Sequence, residues 1–209
     1  MMRSPAQLRT LLEQHQENHS VEYYYLVRGH IPNDVLGRAA RFLYLNRTCF
    51  NGMYRVNQLG YFNVPIGTKG NFINDVNRFE EYAKILQHAQ VRTQDFVDTI
   101  RGANEGDLLF VDPPYTIAHN QNSFIKYNEK LFSWRDQRRL LNALIRARNR
   151  GAMIVETNAY YPALQQMYEK SHFHTYAVNR FSSISGLADR RGIQEEMLIS
   201  SHPINLQEK

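Results

Sequence analysis

The sequence contains a single cysteine, Cys49, so an internal disulfide is impossible and a reducing compartment is expected. No apolar run approaches about 18 residues, which argues against a membrane-spanning helix. The N-terminus lacks the charged, apolar and small-residue succession of a secretory signal, so a cytoplasmic protein without membrane association is expected. There is no internal repeat, no low-complexity tract and no metal-ligand spacing, and the eight histidines are scattered, so no metal is expected.

What is present describes an ordinary globular chain. Its 209 residues make one domain, or a domain with a modest inserted subdomain, with 43% hydrophobic and 22% charged residues. A net charge of +5 and a pI of about 9.3 lean toward a polyanionic partner without establishing one.

The chemistry concentrates at Asp112-Pro113-Pro114-Tyr115. After Gly106, Asp107-Leu108-Leu109-Phe110-Val111 reads as a short, fully buried strand. The prolines hold Asp112 and Pro113 extended, at the strand end where open α/β sheets bind ligands. This group suits methylation of an exocyclic amine on a nucleobase. Such an amine is a poor nucleophile because its lone pair is delocalised into the ring. The Asp112 carboxylate and the Pro113 carbonyl can accept its hydrogens and favour a pyramidal nitrogen, while Tyr115 stacks on the ring. The base must leave the duplex, at a cost of about a few kcal/mol that stacking partly offsets. The same dipeptides also serve a plain strand-to-turn exit.

Along the chain, Ser4-Pro5-Ala6-Gln7 starts a helix with a capping box, and Leu8, Leu11 and Leu12 form its stripe. Val21 to Val27 fits either strand or helix. Asn33 caps a further helix, with Arg38, Arg41 and Arg47 largely on its solvated side. Residues 48 to 67 read as a β-hairpin, with strands around Met53–Val56 and Tyr61–Val64 and a turn at residues 57–60. Residues 76 to 88 are expected to be helical, and Val91 to Phe96 a strand. A polar loop from Thr116 to Lys130 is a candidate lid carrying Phe124 and Tyr127. Ser133 to Asp136 caps the next helix, followed by a buried strand at Ala152–Val155, a short helix at Tyr161–Glu169 and two final strands. Between those strands, Arg180, Arg190 and Arg191 are available for phosphates or for solvent.

These motifs resemble one family. Asp112-Pro113-Pro114-Tyr115 is similar to the catalytic motif of the adenine-N6 DNA methyltransferases. The segments Leu43 to Arg47, Phe50 to Arg55 and Gly60 to Gly67 resemble the target-recognition hairpin of their Dam-type (D12 class) members. The resemblance covers nearly the whole chain, and the hairpin is more specific than the tetrapeptide.

The resemblance implies an α/β fold: a partial Rossmann-like class I methyltransferase sheet with an inserted helical and β-hairpin recognition region. Residues 1–75 would be the recognition region and 76–209 the C-terminal part of the catalytic domain. The implied reaction is site-specific methyl transfer from S-adenosylmethionine to a flipped adenine in a short, GATC-like site of double-stranded DNA. Asp112, Pro113, Pro114 and Tyr115 would be catalytic. Asp95 and Phe96 would meet the donor's adenine, with Asp112 also on the cofactor side. Phe50 would wedge into the stack, and Asn51, Met53, Arg55 and Pro65 would contact DNA. Thr68 departs from the arginine of close relatives, which puts the target sequence in doubt.

One family feature is missing. Members begin with a glycine-rich turn (Phe-x-Gly-x-Gly) under the donor's methionine end and a second strand ending in an acidic residue. No Gly-x-Gly occurs in this chain. The expectation is therefore a methyltransferase whose cofactor half is supplied by a separate polypeptide. The alternatives are a DNA-binding fragment without catalysis and an unrelated basic nucleic-acid-binding α/β protein.

Overall fold

The computed structural model describes residues 4–57, 59–71, 78–115, 132–182 and 192–205, without the side chains of residues 180–182 and 192–194. By packing, the chain divides into two units, Met1–Arg92 and Thr93–Lys209.

The first unit is built on three helices, α1 (Pro5–Glu17), α2 (Val21–Gly29) and α3 (Val35–Thr48). Proline at the first turn starts α1, because its missing N–H would have no helical partner there. Ser4 makes no capping bond: its ψ of 57° is not the extended one of the working caps, so the expected capping box is absent. The tyrosine-rich stretch is helix, its start fixed by the Ser20 hydroxyl accepting from the Tyr23 amide. The cap of α3 is Asp34 rather than Asn33; its carboxylate accepts from the Gly37 amide at 2.7 Å. Leu8, Leu12, Tyr24, Tyr44 and Leu45 interlock as the core.

Arg41 is buried rather than solvated. It donates from Nε to the Val27 carbonyl at 2.9 Å and from Nη2 to the Arg28 carbonyl at 2.6 Å. These carbonyls close α2 and have no helical donors, so a guanidinium there satisfies both. A fourth helix, α4 (Phe79–Leu86), adds Phe79 to the same core, and Glu80 pairs with Arg9 at 2.9 Å. Helix α4 thus packs with the first unit, which extends to Arg92.

The second unit runs α5 (Phe96–Arg101), β1 (Leu108–Val111), α6 (Trp134–Asn149), β2 (Met153–Ala159), α7 (Pro162–Glu169), β3 (His174–Ser182) and β4 (Gly192–Ser200). The sheet order is β1-β2-β4-β3; β1 and β2 are parallel, and the other pairs antiparallel. Helix α6, capped by a formed Ser133/Asp136 capping box, makes the crossover between the parallel strands. Gly151, at φ 93°, turns the chain out of α6 toward β2. Leu140, Leu144, Ile154, Tyr168, Met197 and Ile199 share the core.

Two strand expectations change. Residues 91–95 are exposed coil, and Asp95 is the N-cap of α5: a carboxylate placed to accept from the Val97 amide starts a helix instead of ending a strand. Strand β1 forms but is not fully buried, with Leu108 60% and Phe110 68% exposed. It is an edge strand among the described residues, and only its Leu109 and Val111 side packs against the core.

Candidate functional site

Strand β1 ends where the sequence reading placed the chemistry. Val111 pairs with Glu156 as the last residue of the parallel register, and Asp112 and Pro113 then leave the sheet. Pro113 is buried, Asp112 and Pro114 are exposed, and Tyr115 is half-buried. Strand β2 runs on to Ala159 and so flanks the departing chain. Thr157 from that extension donates its hydroxyl to Asp112 Oδ1 at 2.7 Å.

A cavity of about 350 Å³ opens beside this turn. Its walls include Asp112, Pro113 and Pro114 from the strand exit, Phe96 and Ile100 from α5, and Phe132. The fold thus brings together two motifs 16 residues apart, Phe96 and Asp112, around one apolar hollow. Phe96 and Phe132 meet with ring centroids 5.6 Å apart, and the Arg139 guanidinium lies 4.9 Å from the Phe96 ring centre.

Asp95 does not line the cavity. Its Oδ1 accepts from the Val97 amide at 2.9 Å, and its Oδ2 from Arg139 Nη2 at 2.9 Å. Those bonds, the arginine's first and the amide's second, hold its carboxyl below the usual range. Each oxygen keeps a lone pair for a further donor. Arg139, which also pairs with Asp136 at 3.0 Å, was not singled out from the sequence.

In the first unit, residues 49–67 form a hairpin held by few bonds. It carries isolated bridges at Cys49–Ile66 and Val56–Phe62 instead of continuous strands. Asn57 shapes the tip: its carboxamide oxygen accepts from the Leu59 and Tyr61 amides at 3.0 and 2.9 Å. Phe62 and Val64 point into the core, while Tyr61, Asn63 and Pro65 point out. The Tyr24 hydroxyl donates to the Val64 carbonyl at 2.9 Å and ties the outer arm to α2. Gly67 passes so close to Cys49 that a Cβ would lie 2.6 Å from its carbonyl oxygen.

Phe50, Asn51, Met53, Arg55 and Pro65 are all exposed along this hairpin. Phe50, 51% exposed, is an apolar ring turned to solvent. Asn51 has φ 54°, a left-handed conformation that asparagine tolerates better than most residues. Arg55 Nε donates to Asn63 Oδ1 at 3.3 Å, which couples the two arms across the ribbon.

A buried polar cluster on β2 was not anticipated. Glu156, Asn158, Gln137 and Tyr168 are fully buried. The Tyr168 hydroxyl lies 2.9 and 2.8 Å from the two Glu156 oxygens, and Asn158 Nδ2 donates to Glu156 Oε1 at 2.8 Å. Burial pushes the Glu156 carboxyl up to about 7, against the pull of those two donors.

The proposed lid at Thr116–Lys130, with Phe124 and Tyr127, lies outside the described residues, as do Arg190, Arg191 and the side chain of Arg180. Among the described residues, no group of three or more His, Cys, Asp or Glu is placed to hold a metal, and no helix is long and apolar enough to cross a membrane.

Residues 3–185, which include the hairpin and the strand exit, match one family model, the D12 class N6 adenine-specific DNA methyltransferases. The chain belongs to that family. It is 34% identical over 186 residues to the DNA N-6-adenine-methyltransferase of Escherichia phage P1, covering 88% of this chain and 25% of the phage protein. It is 30% identical over 211 residues to the type II methyltransferase M1.LlaDCHI of Lactococcus lactis subsp. cremoris, covering 97% of this chain and 74% of that enzyme. The DNA adenine methylase of Escherichia coli K12 is 27% identical over 190 residues, with 90% of this chain and 67% of that protein covered. The chain therefore spans only part of the length of these relatives.

Proposed function

We propose that this chain carries the base-reading and amine-orienting parts of a cytoplasmic, site-specific DNA adenine-N6 methyltransferase. The observation that carries the reading is the cavity that joins Phe96 to Asp112, Pro113 and Pro114 at the end of β1. Its apolar walls suit a heterocycle, and its rim supplies a carboxylate acceptor. The target is a flipped adenine in a short duplex site of GATC type. Asp112 and the Pro113 carbonyl accept the amine hydrogens and turn the nitrogen lone pair toward the donor. Tyr115 stacks on the extruded ring. S-adenosylmethionine, when bound, supplies an electrophilic methyl group on a sulfonium. Asp95 and Phe96 would hold its adenine end, with Asp112 also on the cofactor side.

Among the described residues, Asp95 and Phe96 fit that donor at its adenine end, and the sequence contains no Gly-x-Gly turn for the methionine end. A further polypeptide segment carrying such a turn would complete the site by adding a strand at the edge of β1 that is unpaired among the described residues. S-adenosylmethionine binding by the 209-residue chain alone is accordingly expected to be weaker than about 1 μM, near −8 kcal/mol. Calorimetry giving a micromolar or tighter Kd would count against the incomplete site.

DNA reading is assigned to the hairpin: Phe50 wedges into the stack, and Asn51, Met53, Arg55 and Pro65 contact the duplex. An arginine on a two-stranded ribbon can bond a guanine O6/N7 edge in the major groove. Arg55→Ala should cost about 1–3 kcal/mol on the cognate duplex and relax specificity there. A phosphate contact would instead weaken every sequence and flatten the salt dependence. Competition between cognate and scrambled duplexes separates the two, and equal weakening on both removes Arg55 from base reading.

A further inference from the structure

Asp112 sits where the backbone ladder stops. Pro113 has no N–H, so the residues that follow β1 cannot be held by a continued parallel register. An exposed carboxylate on such a segment would rotate freely about χ1 and χ2 unless a side chain held it. The neighbouring strand supplies that side chain. Because β2 outruns β1, Thr157 stands one residue beyond the Val111–Glu156 pair, on the same face as Asp112. Its hydroxyl reaches Asp112 Oδ1 at 2.7 Å.

We propose that Thr157 is a positioning residue: its hydroxyl, bonded to Asp112 Oδ1, fixes the carboxylate plane so that Oδ2 is presented to the exocyclic amine of the target adenine. This inference rests on the methyltransferase reading, since it needs Asp112 to accept from that amine. The threonine methyl restricts χ1 and so favours one hydroxyl direction, which a free water would not. With one oxygen anchored, a single acceptor direction remains, and the second amine hydrogen is left to the Pro113 carbonyl.

The consequence can be read without methyl transfer. A duplex is first selected by the full chain from a randomised pool; then each adenine is replaced in turn by purine, which lacks the 6-amino group. Wild type is expected to bind the adenine duplex several-fold more tightly than the duplex with purine at the target position. Thr157→Val keeps the shape and removes the hydroxyl, so it should lose that preference while binding the purine duplex as wild type does. Thr157→Ser should restore the preference at least in part. Should the valine variant not fold, Thr157→Ala in the same assay decides. A wild-type chain that prefers adenine at no position overturns the methyltransferase reading and this inference with it. A wild-type preference that survives undiminished in Thr157→Val overturns the positioning role alone. The same holds if Thr157→Val only lowers the melting temperature, because then the bond merely clasps β1 to β2.

Discussion

Replacing Asp112 by alanine is expected to lower adenine methylation by about a hundredfold or more, the scale on which a positioned acid–base group acts. Affinity for the cognate duplex should change by no more than several-fold. The asymmetry follows from where the energy is used. On the proposed reading, contacts made by the exposed hairpin residues would be the same before and during reaction, so they would set binding. A bond from the amine to Asp112 would strengthen as the nitrogen turns pyramidal and takes on positive charge, so most of it would appear only at the transition state. Methyl incorporation into an adenine-containing duplex should be measured for the chain alone and with a polypeptide carrying the glycine turn and the first strands. Full activity of Asp112→Ala in whichever preparation is active would remove the carboxylate from the amine-orienting role. A folded, DNA-binding pair with bound donor and no activity would overturn the methyltransferase assignment.

The parts of the site that the sequence made legible are those in which local chain chemistry dictates geometry. Two prolines after an apolar run fix a strand exit whatever surrounds it, and Asp112 is found there. Asn57 and Gly60 dictate a turn, and the alternation of Tyr61, Phe62, Asn63 and Val64 dictates which residues face out. What stayed illegible depended on residues distant in the chain. The apolar run of β1 suggested full burial, but burial is decided by what covers a strand; at this edge one face is open, leaving Leu108 and Phe110 exposed. Val91 and Phe96 have strand propensity, yet the Asp95 cap and its bond to Arg139, 44 residues away, favour coil followed by helix. Arg41 looked like a solvated residue because its acceptors, the last carbonyls of α2, lie 13 and 14 residues earlier. Thr157 carried no signal at all, since its partner is set by the β1–β2 register.

Glu156 tests the same dependence on distant partners through stability. The residue is fully buried on β2, and its carboxyl titrates near 7 instead of at its ordinary 4.5. The folded protein therefore holds that proton more tightly than the unfolded chain does. Stability from this group is complete below about pH 4.5, declines as pH rises toward 7, and stays reduced above it. The shift corresponds to about 3 kcal/mol across that window. Glu156→Gln should abolish the decline. Its amide oxygen can accept from Asn158 and Tyr168, and the Tyr168 oxygen can accept from its amide nitrogen, so the buried cluster stays bonded. Trp134, the only tryptophan, begins α6 in the same packing unit, so denaturant melts followed by its fluorescence report on this unit. Between pH 4.5 and 8, wild type should lose about 3 kcal/mol relative to Glu156→Gln, with the variant the more stable protein at pH 8. Parallel stability curves for the two proteins over that range would mean that the carboxylate is stabilised by its bonds to Tyr168 and Asn158 as well as it is by water.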